Sequence, residues 1–391
     1  MFVARLILAV IVAVAGLVIS LVYSSKGRAN YPEELIQKVI GESGVNINES
    51  VFIVTGSTSG IGQSLAGELY GLGGTVVVAS RNLDKCRATI KEIQALHSNS
   101  AGRLDYYKLD LGDLDTVNPF SEWFRSKYGK LNYLVNNAGI QYGSGQGEKM
   151  TNLLLSIANP QGLDEVFVTN YLGHFLLTHN LLSLIQKGRV INVASTYHLL
   201  SDGHTLVPTE EGKLPEAADP TTPGFFHRRN SYAVSKLAQI LHAKELQRRF
   251  NEDKKTNVKA VSLCPGWVVT NILPGGGLGD FIKSFAFSPR AGILNSMMAI
   301  FDHSLHGGEF LTNMVPPLVT LSWFPSLMSL LTTIGIRGVF TDLMALAMVV
   351  LQSQSYGYYD MTSSPESNDE GLAELLYDWS EKELRRRKYI V

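Results

Sequence analysis

The sequence predicts an α/β protein built on a doubly wound parallel sheet, and three observations support this fold class. Strand-like and helix-like segments alternate along most of the chain, which is typical of a parallel sheet with helices on both faces. Most strand candidates are rich in Val, Ile or Leu, as expected for strands buried on two sides. A glycine-rich turn joins the first strand to its helix. We expect a single domain with an N-terminal transmembrane helix and an enlarged C-terminal substrate region.

The composition excludes some classes of partner. Lys and Arg number 34 against 35 Asp and Glu, so the charge balance predicts no nucleic-acid partner and no strongly anionic one. The two cysteines, Cys86 and Cys264, are too few for a disulfide framework and fit a reducing compartment as small buried side chains. With 391 residues, of which 45% are hydrophobic, the chain can bury a sizeable core. A homo-oligomer is compatible with this composition.

The amino terminus carries an apolar run from Phe2 to Val22, interrupted only by Arg5 and Ser20. A helix rises about 1.5 Å per residue, so this run is long enough to cross roughly 30 Å of hydrocarbon. The small-residue pattern at 13–15 lies inside the run rather than after it, which favours a retained anchor over a cleaved signal peptide. We therefore predict a single-pass membrane anchor in residues 1–25 and a connector in residues 26–50.

The basic residues around this anchor favour a cytosolic catalytic body, because Lys26, Arg28 and Lys38 follow the run while only Arg5 and the amino terminus precede it. The endoplasmic reticulum is the default membrane for such an anchor, with a lipid-droplet surface as the alternative. Residues 48–50 form the one acceptor pattern for N-glycosylation, so modification there would contradict the cytosolic orientation.

Beyond a short polar helix predicted in Tyr31–Gly44, a dinucleotide-binding and catalytic core is predicted in residues 51–271. Its strands are predicted at Val51–Thr55, Thr75–Ala79, Asp105–Leu109, Tyr133–Asn136, Arg189–Val193 and Lys259–Leu263. Apolar residues at helical spacing predict helices at Gln63–Leu72, Leu83–Leu96, Thr116–Lys127, Leu163–Leu184 and Ser231–Phe250.

Two regions interrupt this alternation. Residues 198–230 are rich in Pro, Gly and charge, and predict a surface excursion. Residues 272–335 predict a substrate-region insertion, whose apolar run 314–336 contains three prolines and therefore favours a substrate cover or membrane-surface element over a second span.

The end of the core has two candidate starts for its last helix. These are Ser288–Gly292 and Ile336–Gly338. Residues 355–359 are similar to a closing strand, so the second start is preferred, and 336–391 are assigned to the C-terminal part of the core and the tail.

The glycine turn Thr55–Gly62 predicts a phosphate site. Gly56 can adopt a backbone angle closed to other residues, Gly60 leaves no side chain between backbone and ligand, and Gly62 lets helix and strand pack closely. Amides at the start of the following helix favour an anion, here a dinucleotide pyrophosphate. The turn's predicted cofactor-binding residues are Gly56, Ser57, Ser59, Gly60, Ile61 and Gly62.

The residues after the second strand indicate which dinucleotide binds. No Asp or Glu ends that strand, where Ser80 and Arg81 stand instead. A carboxylate would accept hydrogen bonds from both ribose hydroxyls and repel a 2′-phosphate, whereas Arg81 can hold a phosphate through two parallel donors. The predicted cofactor is therefore NADP(H) rather than NAD, unless Arg81 only caps a surface turn.

Four ordered motifs resemble the short-chain dehydrogenase/reductase family over about Val51 to Tyr359. They are the glycine turn, Asp110-Leu111, Asn136-Asn137-Ala138-Gly139 and Tyr232-Ala233-Val234-Ser235-Lys236. The resemblance implies a Rossmann fold and an enzyme that transfers a hydride. Residues 168–175, 195–198 and 265–267 resemble the retinol dehydrogenase and WW-domain oxidoreductase branch. Cys264 stands where that branch often has His, and the 37 positions from Ser195 to Tyr232 are more than in compact family members.

The proton chemistry can be argued from the residues. Tyr232 and Lys236 are four positions apart and share one face of a helix. An ammonium beside a phenol favours the phenolate, so we expect Lys236 to lower the pKa of Tyr232. Ser195 follows the apolar strand at 189–193, which places its hydroxyl at the carboxyl edge of the sheet, where it can bond a carbonyl oxygen.

The remaining roles are implied by the resemblance. Asn170 would complete a catalytic tetrad by holding a helix kink and a water that passes protons toward Lys236. Asp110 would contact the adenine edge. His174 and His198 have no partner at metal-ligand or catalytic-triad spacing, so structural roles are expected for both histidines. The other implied cofactor-binding residues are Leu111, Asn137, Ala138, Gly139, Tyr232, Lys236, Pro265, Gly266, Val268 and Thr270.

The leading hypothesis is a membrane-anchored NADP(H)-dependent oxidoreductase. Its substrate would be a lipophilic carbonyl or alcohol such as a retinoid, sterol or fatty aldehyde. Two alternatives stay open: a pigment reductase similar to protochlorophyllide reductases, which share the long separation from Ser to Tyr, and a cofactor-binding membrane scaffold with little turnover. An intact Ser195, Tyr232 and Lys236 argue against the scaffold, which has no chemical need for them.

Overall fold

The computed structural model describes residues 31–141, 163–201, 225–254, 257–270, 286–312, 359–360 and 364–391, and shows eight strands within them. The strands are β1 Val51–Thr55, β2 Thr75–Ser80, β3 Arg103–Lys108, β4 Tyr133–Asn136, β5 Gly188–Val193, β6 Val258–Leu263, β7 Phe310–Thr312 and β8 Tyr359–Asp360. They form one sheet in the order β3-β2-β1-β4-β5-β6-β7-β8. All neighbours are parallel except β7 and β8, which confirms the predicted fold class. The chain order reverses at β1, so the crevice between β1 and β4 is a topological switch point.

Helices cover both faces of this sheet. They are α1 Glu33–Glu42, α2 Gly60–Gly71, α3 Leu83–Leu96, α4 Val117–Tyr128, α5 Glu165–Phe167, α6 Gly173–Leu181, α7 Phe225–Glu252, α8 Pro289–Gly292, α9 Leu294–Phe301 and α10 Glu370–Arg386. A π-helical segment, Val168–Leu172, joins α5 to α6. One apolar cluster lies under α4, α6, α7 and α10, and a second lies under α1, α2 and α9.

Several elements occupy their predicted positions. β1, β4 and α3 have the predicted bounds, and the other four predicted strands agree within two residues. At the start of α3, the Asn82 side chain accepts a hydrogen bond from the Lys85 amide at 2.9 Å, which satisfies one free donor of the first turn. α7 begins at Phe225, earlier than the predicted Ser231, so the surface excursion after β5 is shorter than expected.

The end of the core differs from the prediction. The Ser288 hydroxyl caps α8 by accepting a hydrogen bond from the Ala291 amide at 3.2 Å, and α8 and α9 lead into β7, which pairs in parallel with β6. Residues 286–312 therefore belong to the core rather than to the predicted insertion, and the preferred helix start at 336 lies outside the described residues. The two candidate helix starts are similar in sequence, so the local pattern does not distinguish between them. The strand that follows each start is needed to decide.

No helix in the described parts of the chain is long and apolar enough to cross a membrane. The predicted anchor at 2–22 and the apolar run at 314–336 both lie outside those parts.

The last helix, α10, packs against the helices that frame the site. The Tyr171 hydroxyl lies 2.8 Å from the Ser380 hydroxyl, and the rings of Phe175 and Tyr377 are 4.8 Å apart between centroids. The guanidinium of Arg249 on α7 lies 3.8 Å above the Tyr377 ring. The carboxyl-terminal segment therefore belongs to the core.

Candidate active site

The glycine turn between β1 and α2 is closely packed against Ala138 on one side and Thr270 on the other. Gly56 has a φ of 66°, and a Cβ at this position would lie 2.8 Å from the Ala138 Cα. Gly60 has a φ of 56°, and its Cβ would lie 3.1 Å from the Thr270 Cγ2. A Cβ on Gly62 would lie 2.6 Å from the Gly56 carbonyl oxygen. Side chains are therefore excluded where the amides of α2 begin, which suits close approach of an anionic pyrophosphate.

Hydroxyl groups in the turn hold it against β2. The fully buried Ser57 hydroxyl donates to the Val54 carbonyl at 2.7 Å and accepts from the Ala79 amide at 3.2 Å. The Thr58 and Ser80 hydroxyls lie 3.2 Å apart. The side chain of Ser57 thus has a structural partner on each side, and Thr58, which the sequence analysis did not single out, ties the turn to the end of β2.

The start of α2 shows two different environments. Ser59 is exposed and occupies the position before α2 with an extended backbone, φ −166° and ψ 162°. Ile61 packs against Val268, Phe287 and Ala291. The exposed Ser59 hydroxyl is available to a ligand, whereas the Ile61 side chain joins the turn to the segment after β6.

Arg81 lies at the end of β2 with its side chain exposed. Burial raises the pKa of the Glu165 carboxyl, and the positive charge of Arg81 opposes this shift. Arg81 is therefore near α5 and faces solvent at the carboxyl edge of the sheet. That position is compatible with holding a phosphate group.

The loop after β3 is organised by Asp110. Its Oδ1 accepts a hydrogen bond from the Gly112 amide at 3.1 Å, and its carbonyl accepts one from the Thr116 hydroxyl at 2.8 Å. Leu111 is 4% exposed, and its carbonyl oxygen would lie 2.5 Å from a Cβ on Gly173. Leu111 therefore packs against the start of α6, while the partly exposed Asp110 stays at the sheet edge.

The segment after β4 is held by Thr55. Its hydroxyl oxygen accepts hydrogen bonds from the amides of Asn137 and Ala138, both at 2.9 Å, and the Asn137 side chain donates to the Thr55 carbonyl at 2.8 Å. A Cβ on Gly139 would lie 3.4 Å from both the Asn170 Oδ1 and the Lys236 Nζ. The segment thus links the glycine turn to two members of the predicted tetrad.

Asn170 is fully buried within the π-helical segment. Its Oδ1 accepts from the Ile140 amide at 2.8 Å, and its Nδ2 donates to the Ile140 carbonyl and the Ser235 hydroxyl, both at 3.0 Å. The Gly173 amide donates to the Val168 carbonyl, five positions back instead of four. The helix is therefore irregular at Asn170, a type of distortion that is frequent at functional sites.

Ser195, Tyr232 and Lys236 lie together at the carboxyl end of β5. The Ser195 hydroxyl is close enough to the Tyr232 hydroxyl to act on its pKa. Nζ of Lys236 lies 5.4 Å from the centroid of the Tyr232 ring and donates to the Val193 carbonyl at 2.8 Å. Tyr232 and Lys236 are 8% and 3% exposed, respectively.

The protonation of this group differs from the prediction. Burial raises the pKa of Tyr232 well above its ordinary value, although the Ser195 hydroxyl opposes this, and burial lowers the pKa of Lys236 to about 8. The expected lowering of the Tyr232 pKa by Lys236 is therefore wrong for this structure. Both side chains are removed from water, which shifts each pKa toward the neutral form, although a pKa of about 8 still leaves Lys236 charged near pH 7. The Lys236 nitrogen bonds to a carbonyl instead of the phenol.

The segment after β6 closes the other side of the site. Gly266 has a φ of 86°, and the partly exposed Pro265 precedes it. Val268 is 4% exposed and forms an isolated bridge with Phe287, while Thr270 faces Gly60 across the turn. This segment therefore borders the space beside the glycine turn.

Cys264 is buried next to Ser195 in this edge of the sheet. Its sulfur accepts a hydrogen bond from the Thr196 amide at 3.4 Å. The described residues form no group of three or more metal-ligating side chains, and both cysteines are free thiols.

Buried polar groups complete the site. The pKa values of His174 and His198 are lowered by burial to about 3 and about 4, so both rings are neutral near pH 7. His174 lies 2.8 Å from the Thr55 hydroxyl and 2.9 Å from the Asn170 carbonyl, which is a structural position. The Gln239 side chain donates to the same carbonyl. Sequence analysis assigned no role to Ser235 or Gln239, although Ser235 is three positions from Tyr232 and Gln239 is three positions from Lys236, a spacing that places neighbours on one helix face.

Comparisons with known proteins agree with this arrangement. A family model described as short chain dehydrogenase matches residues 50–204. Short-chain dehydrogenase TIC 32 A, chloroplastic, of Brassica napus is 32% identical over 244 residues, which cover 60% of this chain and 69% of that protein. Retinol dehydrogenase 11 of Mus musculus is 31% identical over 287 residues, which cover 71% of this chain and 82% of that protein.

Solved structures share the fold. A short-chain dehydrogenase from Burkholderia cenocepacia in complex with NADP superposes with a TM-score of 0.50 at 19% identity, covering 68% of this chain and 97% of that one.

Proposed function

Because the chain belongs to the short-chain dehydrogenase/reductase family, we propose that it is a membrane-anchored, NADP(H)-dependent oxidoreductase acting on the carbonyl or alcohol group of a lipophilic compound. The observation that carries this proposal is the convergence of Ser195, Tyr232 and the buried Lys236 at the carboxyl end of β5. Two hydroxyl groups that converge at the carboxyl edge of an open α/β sheet can bind one substrate oxygen.

The roles follow from the geometry. Ser195 would donate a hydrogen bond to the substrate oxygen, and Tyr232 would exchange a proton with it. The phenol of Tyr232 is protonated near neutral pH and can give a proton to a carbonyl oxygen. Its raised pKa makes it a weaker acid in the free chain, so the mechanism needs the charge of Lys236 to favour the phenolate during the reaction. Lys236 would hold the ribose and favour the phenolate once Tyr232 has given its proton.

Asn170 would support the proton path. Its side chain bonds to Ile140 and Ser235 on either side of the irregular turn, and a Cβ on Gly139 would be equally close to Asn170 and Lys236. The two side chains therefore border the same small space, which supports a relay from Asn170 toward Lys236.

The turn suits a dinucleotide, because Gly56, Gly60 and Gly62 have no room for side chains and leave the amides at the start of α2 open to a pyrophosphate. Bound NADP(H) would supply or accept the hydride at its nicotinamide ring. Arg81 would hold the 2′-phosphate, and Asp110 would contact the adenine edge. The remaining ligands would come from Ser57, Ser59, Ile61, Ser80, Leu111, Asn137, Ala138, Gly139, Pro265, Gly266, Val268 and Thr270. The Burkholderia cenocepacia dehydrogenase, which has a similar fold, was solved in complex with NADP, and this supports the choice of cofactor.

The lipophilic substrate is proposed from two observations. The first is the name of a relative that is 31% identical, retinol dehydrogenase 11, which refers to a retinoid alcohol. The second is the pair of apolar runs at 2–22 and 314–336, which would place this chain at a membrane. We assign residues 1–25 to a single-pass anchor, with the body in the cytosol at the endoplasmic reticulum or a lipid droplet. Residues 272–285 and 313–335 are assigned to the substrate region.

The test uses membranes that contain the full chain. They are incubated with NADPH or NADH and a panel of lipophilic aldehydes, ketones and sterols, and cofactor oxidation and product are measured. We expect turnover with NADPH that is lost in Tyr232→Phe, while NADPH binding persists. Turnover that survives in Tyr232→Phe would contradict the mechanism, and NADPH binding without oxidation across the panel would favour a scaffold. A glycosidase-sensitive mass shift at Asn48 would contradict the cytosolic body.

A further inference from the structure

His198 connects Ser195 to the carboxyl-terminal segment. Its side chain is 1% exposed, its Nδ1 lies 2.8 Å from the Ser195 carbonyl oxygen, and its Nε2 accepts a hydrogen bond from the Ser364 amide at 3.3 Å. An amide N–H can only donate, so Nε2 carries no proton. The neutral ring then carries its proton on Nδ1 and donates it to the Ser195 carbonyl.

Both the carbonyl and the hydroxyl of Ser195 accept hydrogen bonds from neighbouring groups. Its carbonyl also accepts from the His198 amide at 3.0 Å, and its hydroxyl oxygen accepts from the Tyr197 amide at 3.2 Å. The amide of Tyr197 occupies one lone pair of the hydroxyl oxygen, and the Tyr232 hydroxyl is a further neighbour of this group. The backbone of Ser195 thus determines where its hydroxyl lies.

Ser364, the second hydrogen-bond partner of His198, is itself held by hydrogen bonds. The Ser364 carbonyl accepts from the Asn368 side chain at 3.1 Å, and the Asn368 side chain accepts from Lys244 on α7. The His198 ring also lies edge-on to Phe310 of β7, 5.1 Å between centroids. α7 carries Tyr232 and Lys236, so one ring joins the strand end of Ser195 to the helix that bears the other two groups.

We propose that His198 is a positioning residue that fixes the hydroxyl of Ser195 toward Tyr232, and that the Ser364 amide holds its ring in the required tautomer. This inference rests on the proposed function, since it concerns the oxygen-binding role of Ser195. His198 acts through the Ser195 carbonyl and does not touch the substrate. Lys244 is the charged group that acts on the ring, and its charge also favours the neutral form.

Three variants of the full chain in membranes test this role. His198→Asn keeps a donor that can reach the Ser195 carbonyl. His198→Phe keeps a ring against Phe310 but no hydrogen bond. Phe310→Leu is the matched control, because it removes the ring contact and leaves both hydrogen bonds of His198 in place.

The measurements are kcat and KM per NADPH-binding site, and amide hydrogen exchange of peptides covering 193–201 and 364–368. For His198→Phe we expect kcat to fall about tenfold, the loss of roughly one hydrogen bond, with the KM for NADPH unchanged and faster exchange in both peptides. His198→Asn is expected to keep kcat within about threefold of the wild type and to slow the exchange of 193–201 again. Phe310→Leu is expected to keep wild-type kcat.

Three results would overturn the proposal. Wild-type kcat in His198→Phe would show that the Ser195 hydroxyl needs no such support. Equal losses in His198→Asn and His198→Phe would assign the effect to packing. If the wild-type chain turns over no compound in the panel, the proposed function fails, and exchange alone decides: unchanged exchange of both peptides in His198→Phe overturns the link, and faster exchange in both supports it.

Discussion

The Lys236 ammonium donates a hydrogen bond to the Val193 carbonyl oxygen at 2.8 Å. Val193 ends β5, two positions before Ser195, while Lys236 lies on α7 one turn after Tyr232. This contact therefore ties the strand that presents Ser195 to the helix that presents Tyr232. It also uses one of the three donors of the ammonium and leaves the others for a ligand.

The buried Lys236 predicts an unusual dependence of stability on pH. Its pKa is lowered to about 8, whereas in the unfolded chain it is about 10.4. Between these values the unfolded chain binds more protons, so the free energy of unfolding should rise with pH. Denaturant unfolding at pH 7.5 and 9.5 should show a wild-type gain of roughly 2 kcal/mol, because each pH unit between the two pKa values contributes about 1.4 kcal/mol, and this gain should be absent in Lys236→Met. The same gain in both proteins would contradict a buried ammonium.

His242 predicts a loss of stability in acid. Burial lowers its pKa to about 3, and its ring packs against Phe175 and Tyr377. The unfolded chain therefore binds more protons below about pH 6.5, so stability falls as pH decreases from there toward 4. His242→Phe keeps an aromatic ring and removes the titrating group, so its unfolding temperature should fall less between pH 6.5 and 4.5. An equal fall in the two proteins would exclude His242 as a source of acid sensitivity.

Two glycines of α2 should respond differently to alanine. A Cβ on Gly62 would lie 2.6 Å from the Gly56 carbonyl oxygen, whereas a Cβ on Gly67 has its nearest neighbours at 3.7 Å. Gly62→Ala should destabilise the chain by about 1–3 kcal/mol and weaken NADPH binding, because backbone must move. Gly67→Ala should be neutral or stabilise by up to about 1 kcal/mol, since alanine favours helix. Thermal unfolding and NADPH titration distinguish the two variants. Comparable losses of stability and of NADPH affinity in both variants would show that the turn is not tightly packed.

Arg81 should control the choice between the two dinucleotides. In Arg81→Ala we expect the KM for NADPH to rise about 10- to 100-fold, the loss of a charge-assisted contact, with little change in the KM for NADH. Arg87→Ala is the control, because Arg87 is exposed on α3 and pairs with Asp84 and Tyr106. A rise of the same size for both cofactors would indicate that Arg81 supports the fold rather than the 2′-phosphate.

Much of the fold follows from local pattern. β1 and β4 are short apolar runs with all residues buried, and α3 has an Asn cap and helical spacing, so neighbouring residues suffice to define them. The residues of the site also gather as expected, because parallel strands end at one edge and the motifs follow those strands.

Other features depend on contacts between distant segments. The raised pKa of Tyr232 comes from burial, which no local pattern encodes. α8, α9 and β7 belong to the core because β7 pairs with β6, a contact that the local sequence around Ser288 does not encode. The link between His198 and Ser364 joins positions 166 apart, so only the folded chain reveals it.

The contact between Tyr171 and Ser380 spans 209 positions and has a consequence for biosynthesis. A ribosome delivers Tyr171 and Phe175 long before it delivers Ser380 and Tyr377, which cover them. Until α10 emerges, this apolar face of α6 and α7 remains open to water, and in a chain that stops before Glu370 it is never covered. A nonsense mutation near the end of the gene should therefore act as a folding defect, with the shortened protein captured by chaperones and degraded before its chemistry could be tested.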